Sequence, residues 1–381
     1  MVSRNLMMTG AKVFDRLDGL LHPLRAAPVP QAADPARILV WTVDRIGDVV
    51  RATVAIKALR LRYPQAEITA VVANRALAVL EHSPHIDRLV LVPNPHSPRH
   101  HRDALRALSG QGYDLGVLIE VEYFWIKLGQ MLFRRLDVGR WVHLECGLAR
   151  HPRETLVPVA RDKGWDALFA DLAHAAGAPA TDLRTHITLP DSARQGFRRA
   201  FQDAGIDPDQ PYLICHPGTS ALVIDRSWPP ARFGAVIREL YAATGIRTCI
   251  TGLPAERALA RDCMKAAGAD AALDMTGRLS LPELMAALER AELLLVNDTG
   301  PLHLANAFAT PTVAVLGPTA PSVLGVDPGC VTLVHSQLPC QPCAWHSGLR
   351  ACTNPDAYAC LKAVTIADVT QAAFTRLKRT S

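Results

Sequence analysis

Two rounds of the same alternation run along the chain. Short apolar runs alternate with stretches whose apolar residues recur every three to four positions, the periods of buried strands and amphipathic helices. In the first round, residues 37–43 read as a buried strand and a polar turn, Asp44-Arg45-Ile46-Gly47-Asp48, leads into a helix over 49–63. Strands follow at 67–73, 87–92 and 114–120, with helical patterns at 76–81 and 102–108 between them. The stretch 150–190 holds one helical pattern and then several prolines, and reads as a domain end and linker. The second round has helices at 193–204, after Trp228-Pro229-Pro230, and at 256–267 and 281–290. Its strands fall at 211–215, 247–251, 292–296 and 311–316. Residues 366–377 predict a closing helix. Strands that alternate with helices imply parallel, doubly wound sheets, and hence two open α/β units. Ligands of such sheets bind beyond the carboxyl ends of the strands. The polar, glycine-bearing turns 44–48, 216–220 and 297–300 all follow strands, and would converge if both units face one cleft.

The bulk figures fit this picture. The 381 residues are enough for two cores, and 49% apolar with 20% charged residues is a globular composition. A net charge of +5 suits an anionic partner, but no Lys/Arg run with interleaved aromatics appears, which argues against nucleic acid. No apolar stretch reaches the ~20 residues of a membrane span. Arg4, Lys12, Asp15, Arg16 and Asp18 break any secretory h-region, so the reading is cytoplasmic. In the leader, Val13, Phe14, Leu17, Leu20, Leu21 and Leu24 keep helical spacing. That suits an amphipathic helix on a membrane surface and equally a helix packed on the body.

The segment Asn297-Asp298-Thr299-Gly300-Pro301-Leu302-His303 carries the most chemistry. An apolar run enters it and a helix follows, so backbone N–H groups and a positive dipole end would face an anion. Asp298 is within reach of a sugar hydroxyl beside a phosphate there, and Thr299, Gly300 and His303 complete a nucleotide-sugar pattern. The loop His216-Pro217-Gly218-Thr219-Ser220 with Arg226 offers a tight turn, hydroxyls and a guanidinium for a departing diphosphate. Glu256 suits ribose hydroxyls and equally a first helical turn. Asp48 suits a general base and equally a helix cap. Of nine cysteines, Cys146, Cys215, Cys249, Cys263 and Cys330 are scattered and read as buried thiols. Cys340, Cys343, Cys352 and Cys360 cluster, which suits a structural zinc or iron centre, reduced packing thiols or disulfides. Four thiolate ligands would leave no open position for catalysis.

Together these loops resemble the bacterial heptosyltransferases of glycosyltransferase family 9, which build the inner core of lipopolysaccharide. The resemblance rests on Arg45-Ile46-Gly47-Asp48 with Thr53, His216–Ser220, Arg226-Ser227-Trp228-Pro229, Asn297–Ala305, and Pro311 through Gly317-Pro318-Thr319. It covers roughly residues 36 to 378, and many relatives share a similar cysteine-bearing tail. Arg226 stands where the family often has Lys, and Val54 where a Pro is frequent.

The resemblance implies a GT-B fold, two Rossmann-like doubly wound domains facing a central cleft. The expected organisation is a leader (1–35), an acceptor-binding domain (36–190), a donor-binding domain (191–365, with the Cys-rich segment 340–360) and a terminal helix (366–381). It implies inverting heptose transfer from ADP-heptose to a lipopolysaccharide core or lipid A-linked acceptor, with no cofactor required for catalysis. Asp48 would be the base. Thr219, Ser220 and Arg226 would contact the pyrophosphate, Glu256 the ribose, and Asp298 the donor sugar, with Thr299, Gly300 and His303 at the phosphates. Two readings stand beside it: the same fold acting on another glycan or a protein, and a nucleotide-sugar-binding protein without turnover. The location implied is the cytoplasm, with peripheral contact to the inner membrane left open.

Overall fold

The computed structural model describes residues 34–43, 45–120, 135–136, 138–145, 153–160, 162–219, 227–345 and 352–377. The chain divides into two compact units between His186 and Ile187. Residues 1–33 of the leader, with its apolar helical spacing, lie outside the described residues.

The first unit contains β1 (Arg37–Thr42), α1 (Ile46–Arg62), β2 (Glu67–Ala73), α2 (Leu77–Leu80), β3 (Arg88–Val92) and α3 (Pro98–Leu108). It continues with β4 (Leu115–Leu118), β5 (Arg140–Leu144), β6 (Glu154–Val157) and α4 (Trp165–Ala175). All six strands are parallel, in the order β3-β2-β1-β4-β5-β6. β1 reads Arg-Ile-Leu-Val-Trp-Thr and is buried from Ile38 onward, as expected of a central parallel strand covered on both faces. α1 packs against α4 and has Asp48 in its first turn and Arg60 and Arg62 in its last, the order that suits the helix dipole.

The second unit repeats the plan. It holds α5 (Asp191–Asp203), β7 (Leu213–His216), α6 (Pro230–Thr244), β8 (Thr248–Ile250), α7 (Arg257–Ala267) and β9 (Ala272–Asp274). Then come α8 (Leu281–Arg290), β10 (Leu293–Asn297), α9 (Gly300–Ala307), β11 (Thr312–Leu316), β12 (Val331–His335), α10 (Ala359–Ala363) and α11 (Ile366–Leu377). The parallel order is β12-β11-β10-β7-β8-β9. In both sheets the first and fourth strands of the unit are neighbours at the centre, and the chain winds outward from them in both directions. α11 packs against α6 and β10–β12, closing a core around Trp228, Phe233, Ile237, Leu295 and Val369. Gly245, left-handed at φ 70° and facing open space, turns α6 into β8.

Four strands escape the apolar pattern. β5 and β6 lie within or beside the stretch read as a linker, and β9 and β12 are sheet edges. β9 has three residues and β6 four, too short to show a run. β5 and β12 carry polar residues at their ends. A second difference bears on the site. α1 begins at Ile46 rather than 49, so Asp48 lies inside the helix instead of in the turn before it. Cys215, Cys249, Cys263 and Cys330 are buried free thiols, and Cys146 falls outside the described residues.

Candidate active site

Parallel strands deliver all their following loops to one edge of each sheet, and the strand order reverses between the two central strands. In the second sheet that point lies between β7 and β10. β7 ends at His216, and the chain then runs through buried Pro217 and Gly218 to Thr219. β10 ends at Asn297, which is wholly buried. Its amide Nδ2 donates to the Pro217 carbonyl at 2.8 Å, and its Oδ1 accepts the Trp228 N–H at 2.9 Å. One side chain thus ties both ends of the 217–228 loop to the strand beside it. Trp228 is fixed in turn by Nε1 donating to the Val364 carbonyl at 3.1 Å and by an edge-on contact with Phe233. Thr219 and Ser227 close the loop with a 2.8 Å hydroxyl pair. Ser220 and Arg226, expected in this loop, lie outside the described residues.

The loop after β8 meets the same place. Thr251 Oγ1 stands 3.1 Å from His216 Nδ1, and burial pushes the His216 imidazole down to about 4, so it is neutral at pH 7. Glu256 Oε2 accepts the Leu253 N–H at 2.6 Å. Its carboxylate lies against two glycines. A Cβ on Gly218 would stand 2.1 Å from Glu256 Oε1, and one on Gly252 would stand 3.0 Å from Oε2. Glycine at both positions is what lets the carboxylate sit between the two loops.

Asp298, Thr299 and Gly300 lead from β10 into α9, with Thr299 as N-cap and Pro301 in the first turn, where a missing N–H costs nothing. Asp298 is buried, and its Oδ2 accepts the Thr319 hydroxyl at 2.6 Å. His303 is buried within the first turns of α9. A helix start beside a carboxylate can hold an anion and a neighbouring hydroxyl group together.

The first sheet reverses between β1 and β4. Glu120, wholly buried just beyond β4, accepts the Val43 N–H at 2.6 Å as the chain leaves β1. Asp48 follows in the first turn of α1, 7% exposed, ion-paired with Arg51 one turn on. The N-cap residue is Arg45, whose side chain makes no capping hydrogen bond. The loop after β3 and the start of α3 reach the same edge and expose His96, Arg99 and Arg102.

Cys340, Cys343, Cys352 and Cys360 line one pocket with Pro318, Gln341, Asn354, Tyr358 and Ala359. All four are free thiols. Asn354 Nδ2 donates to Cys340 Sγ and the Tyr358 N–H to Cys352 Sγ, both at 3.4 Å. Burial first, and the neighbouring sulfurs second, push the Cys343 thiol up. Among the described residues, no three His, Cys, Asp or Glu side chains are arranged to hold a metal ion. The thiols share a pocket without surrounding a common point.

A family model described as glycosyltransferase family 9 (heptosyltransferase) matches residues 161–348. Lipopolysaccharide heptosyltransferase 3 of Escherichia coli is 25% identical over 283 residues, covering 72% of this chain and 81% of that one. Both matches support glycosyltransferase family 9 as the family of this chain. Solved structures agree on the fold. A family 9 glycosyl transferase from Veillonella parvula superimposes with a TM-score of 0.75 at 20% identity, covering 92% of this chain and 99% of that one. The ADP-heptose lps heptosyltransferase II of E. coli gives 0.71 at 14% identity, covering 90% and 99%. The protein is therefore a GT-B glycosyltransferase built from two Rossmann-like units.

In this family 9 enzyme, the second unit brings Thr219, Glu256, Asp298, Thr299, Gly300 and His303 to the carboxyl edge of one sheet. Asp48 lies at the corresponding edge of the other. The motif reading passed over three residues that hold these groups: Glu120, Asn297 and Thr319. Asn297 and Thr319 stood inside quoted motifs, and a polar residue ending an otherwise apolar strand was the available signal.

Two outcomes follow from this geometry. Asn297→Leu leaves the buried Pro217 carbonyl and Trp228 N–H without their partner, and should cost about 2–4 kcal/mol in a urea unfolding measurement. His216 is neutral when folded but protonates near 6.5 once unfolded, so the unfolded state binds the extra proton between pH 6.5 and 4. Stability should fall as pH drops through that window, by up to about 3 kcal/mol at roughly 1.4 kcal/mol per pH unit, and level off below it. His216→Asn should flatten this slope in urea unfolding midpoints taken at pH 7 and pH 4.5.

Proposed function

We propose that this glycosyltransferase moves heptose from ADP-heptose to an inner-core sugar of lipopolysaccharide, with inversion at the anomeric carbon. One observation carries the reading. At the switch point of the second sheet, three loops bearing hydroxyls, a carboxylate packed against glycines and a helix start come together, the first of them tied at both ends by Asn297. That arrangement suits a nucleoside diphosphate sugar. Glu256 binds the ribose, Asp298 the sugar, and Thr299, Gly300 and His303 the phosphates, with Thr219, Ser220 and Arg226 at the pyrophosphate. The names of the relatives supply heptose, ADP and lipopolysaccharide.

In the reaction the acceptor hydroxyl attacks the anomeric carbon, the bond to the β-phosphate oxygen breaks, and ADP leaves with the negative charge. Asp48 accepts the hydroxyl proton. Its ion pair with Arg51 fixes the carboxylate at the head of α1. The first unit takes the acceptor and the second the donor. The exposed His96, Arg99 and Arg102 suit an anionic acceptor. Free thiols suit the reducing cytoplasm, and no helix among the described residues is long and apolar enough to cross a membrane. Contact with the inner-membrane surface would come through the leader.

Mass spectrometry of heptose-deficient lipopolysaccharide incubated with ADP-heptose and the purified protein tests this. One added heptose is expected, with Asp48→Asn slowing turnover about 10²–10⁴-fold. ADP release without a lipid product would move the acceptor to another glycan or a protein. Neither product nor ADP would overturn the donor.

The four-thiol pocket fits the donor set of a structural zinc or iron, although its sulfurs do not surround one point. Such an ion would reverse the upward push on Cys343 by stabilising thiolates. Elemental analysis of protein purified without chelator should then find about one zinc or iron per chain. Cys343→Ser should lose it, and metal-free wild-type protein would remove the proposal.

A further inference from the structure

The loop leaving β11, Gly317-Pro318-Thr319, touches the candidate donor site on one side and the cysteine-lined pocket on the other. Thr319 is 8% exposed and Asp298 4%, and the hydroxyl of the first donates to the carboxylate of the second at 2.6 Å. The Thr319 backbone does not stand alone. The Cys343 and Ala344 N–H groups both donate to the Pro318 carbonyl, at 3.0 and 2.9 Å. The Ala320 N–H donates to the Ala344 carbonyl at 2.9 Å, making a parallel bridge between Thr319 and Ala344. Gln341 Nε2 donates to the Gly317 carbonyl, and Pro318 itself lines the thiol pocket. Behind the loop, a Cβ on Gly317 would meet Leu361 at 2.8 Å, so the segment is held from both sides.

We propose that Thr319 is a positioning residue for Asp298, and that the cysteine-bearing loop 340–344 determines where Thr319 stands. The loop of thiols thereby acts on the enzyme's grip on the donor sugar without touching the donor. A buried carboxylate turns about its terminal bond unless a partner fixes it. A charge-assisted hydrogen bond of this length fixes the oxygen that accepts it, and with it the plane of the carboxylate. The donor hydroxyl has little freedom of its own, because four backbone or side-chain hydrogen bonds from residues 341–344 hold the three residues around it. The inference rests on the reading that Asp298 contacts the donor sugar.

The test compares affinity for ADP-heptose with affinity for ADP, which lacks the sugar, by calorimetry on the full-length protein. Thr319→Val keeps the branched shape and removes the hydroxyl. It should weaken ADP-heptose about tenfold while ADP changes less than about twofold. Thr319→Ser keeps a hydroxyl and should recover most of the loss. Gln341→Ala, remote from the donor, should shift the same ratio in the same direction by about threefold. Equal weakening of both ligands by Thr319→Val would mark a merely structural threonine and overturn the proposal, as would no change in either. A silent Gln341→Ala would overturn the part assigned to the loop. Asp298→Asn distinguishes the deeper failure: if it too leaves the ratio untouched, the sugar-contact reading falls, and with it the ground for this inference.

Discussion

In each half of the molecule, a buried polar side chain at the end of the fourth strand reaches sideways and clasps the chain as it leaves the first strand. In the first unit Glu120 takes the Val43 N–H. In the second, Asn297 takes the Trp228 N–H and gives its own to Pro217. A parallel sheet pulls its central strands together by backbone hydrogen bonds, but these stop where the strands end. The backbone polar groups just beyond are still buried and still need partners. A side chain from the neighbouring strand supplies them, and in doing so fixes the direction in which each functional loop departs. The positions of Asp48, Thr219 and Asp298 descend from these two clasps.

The two clasps are chemically different, and the difference matches what each edge carries. Glu120 is an acceptor and serves one N–H. Asn297 is donor and acceptor at once, so it gathers two separated segments and closes a long loop. The loop it closes begins beside a neutral His216 and carries hydroxyls and one glycine, Gly218, pressed against the Glu256 carboxylate. Beside it the start of α9 presents oriented backbone N–H groups, which need little rearrangement when charge develops. The first unit instead sets a paired carboxylate into the opening turn of a buried helix.

Much of this was legible in the sequence because parallel strands are buried on both faces and read as unbroken apolar runs. β1, β2, β10 and β11 stand out for that reason. β6 and β9 do not, since three or four residues at the outer part of a sheet leave no run to see. β5 and β12 are obscured by their polar ends. The motif residues were visible as residue types in a meaningful order. Their supports were not, because Glu120 and Val43 are 77 positions apart and Asn297 and Pro217 are 80 apart. Nothing local marks such pairs. Asp48 shows the opposite limit: its identity was plain, but the early start of α1, which gives it Arg51 as a partner, depends on packing.

Gly245 has a consequence of a more practical kind. It turns α6 into β8 at the edge of the sheet away from the clasped loops, in a left-handed conformation with open space around it. The donor-binding groups proposed for this unit lie at the opposite edge of its sheet, where its parallel strands point. A dye, an affinity handle or a bead attached near this turn would therefore sit at the far end of the second sheet from the proposed donor site. The fold supplies its own mounting side.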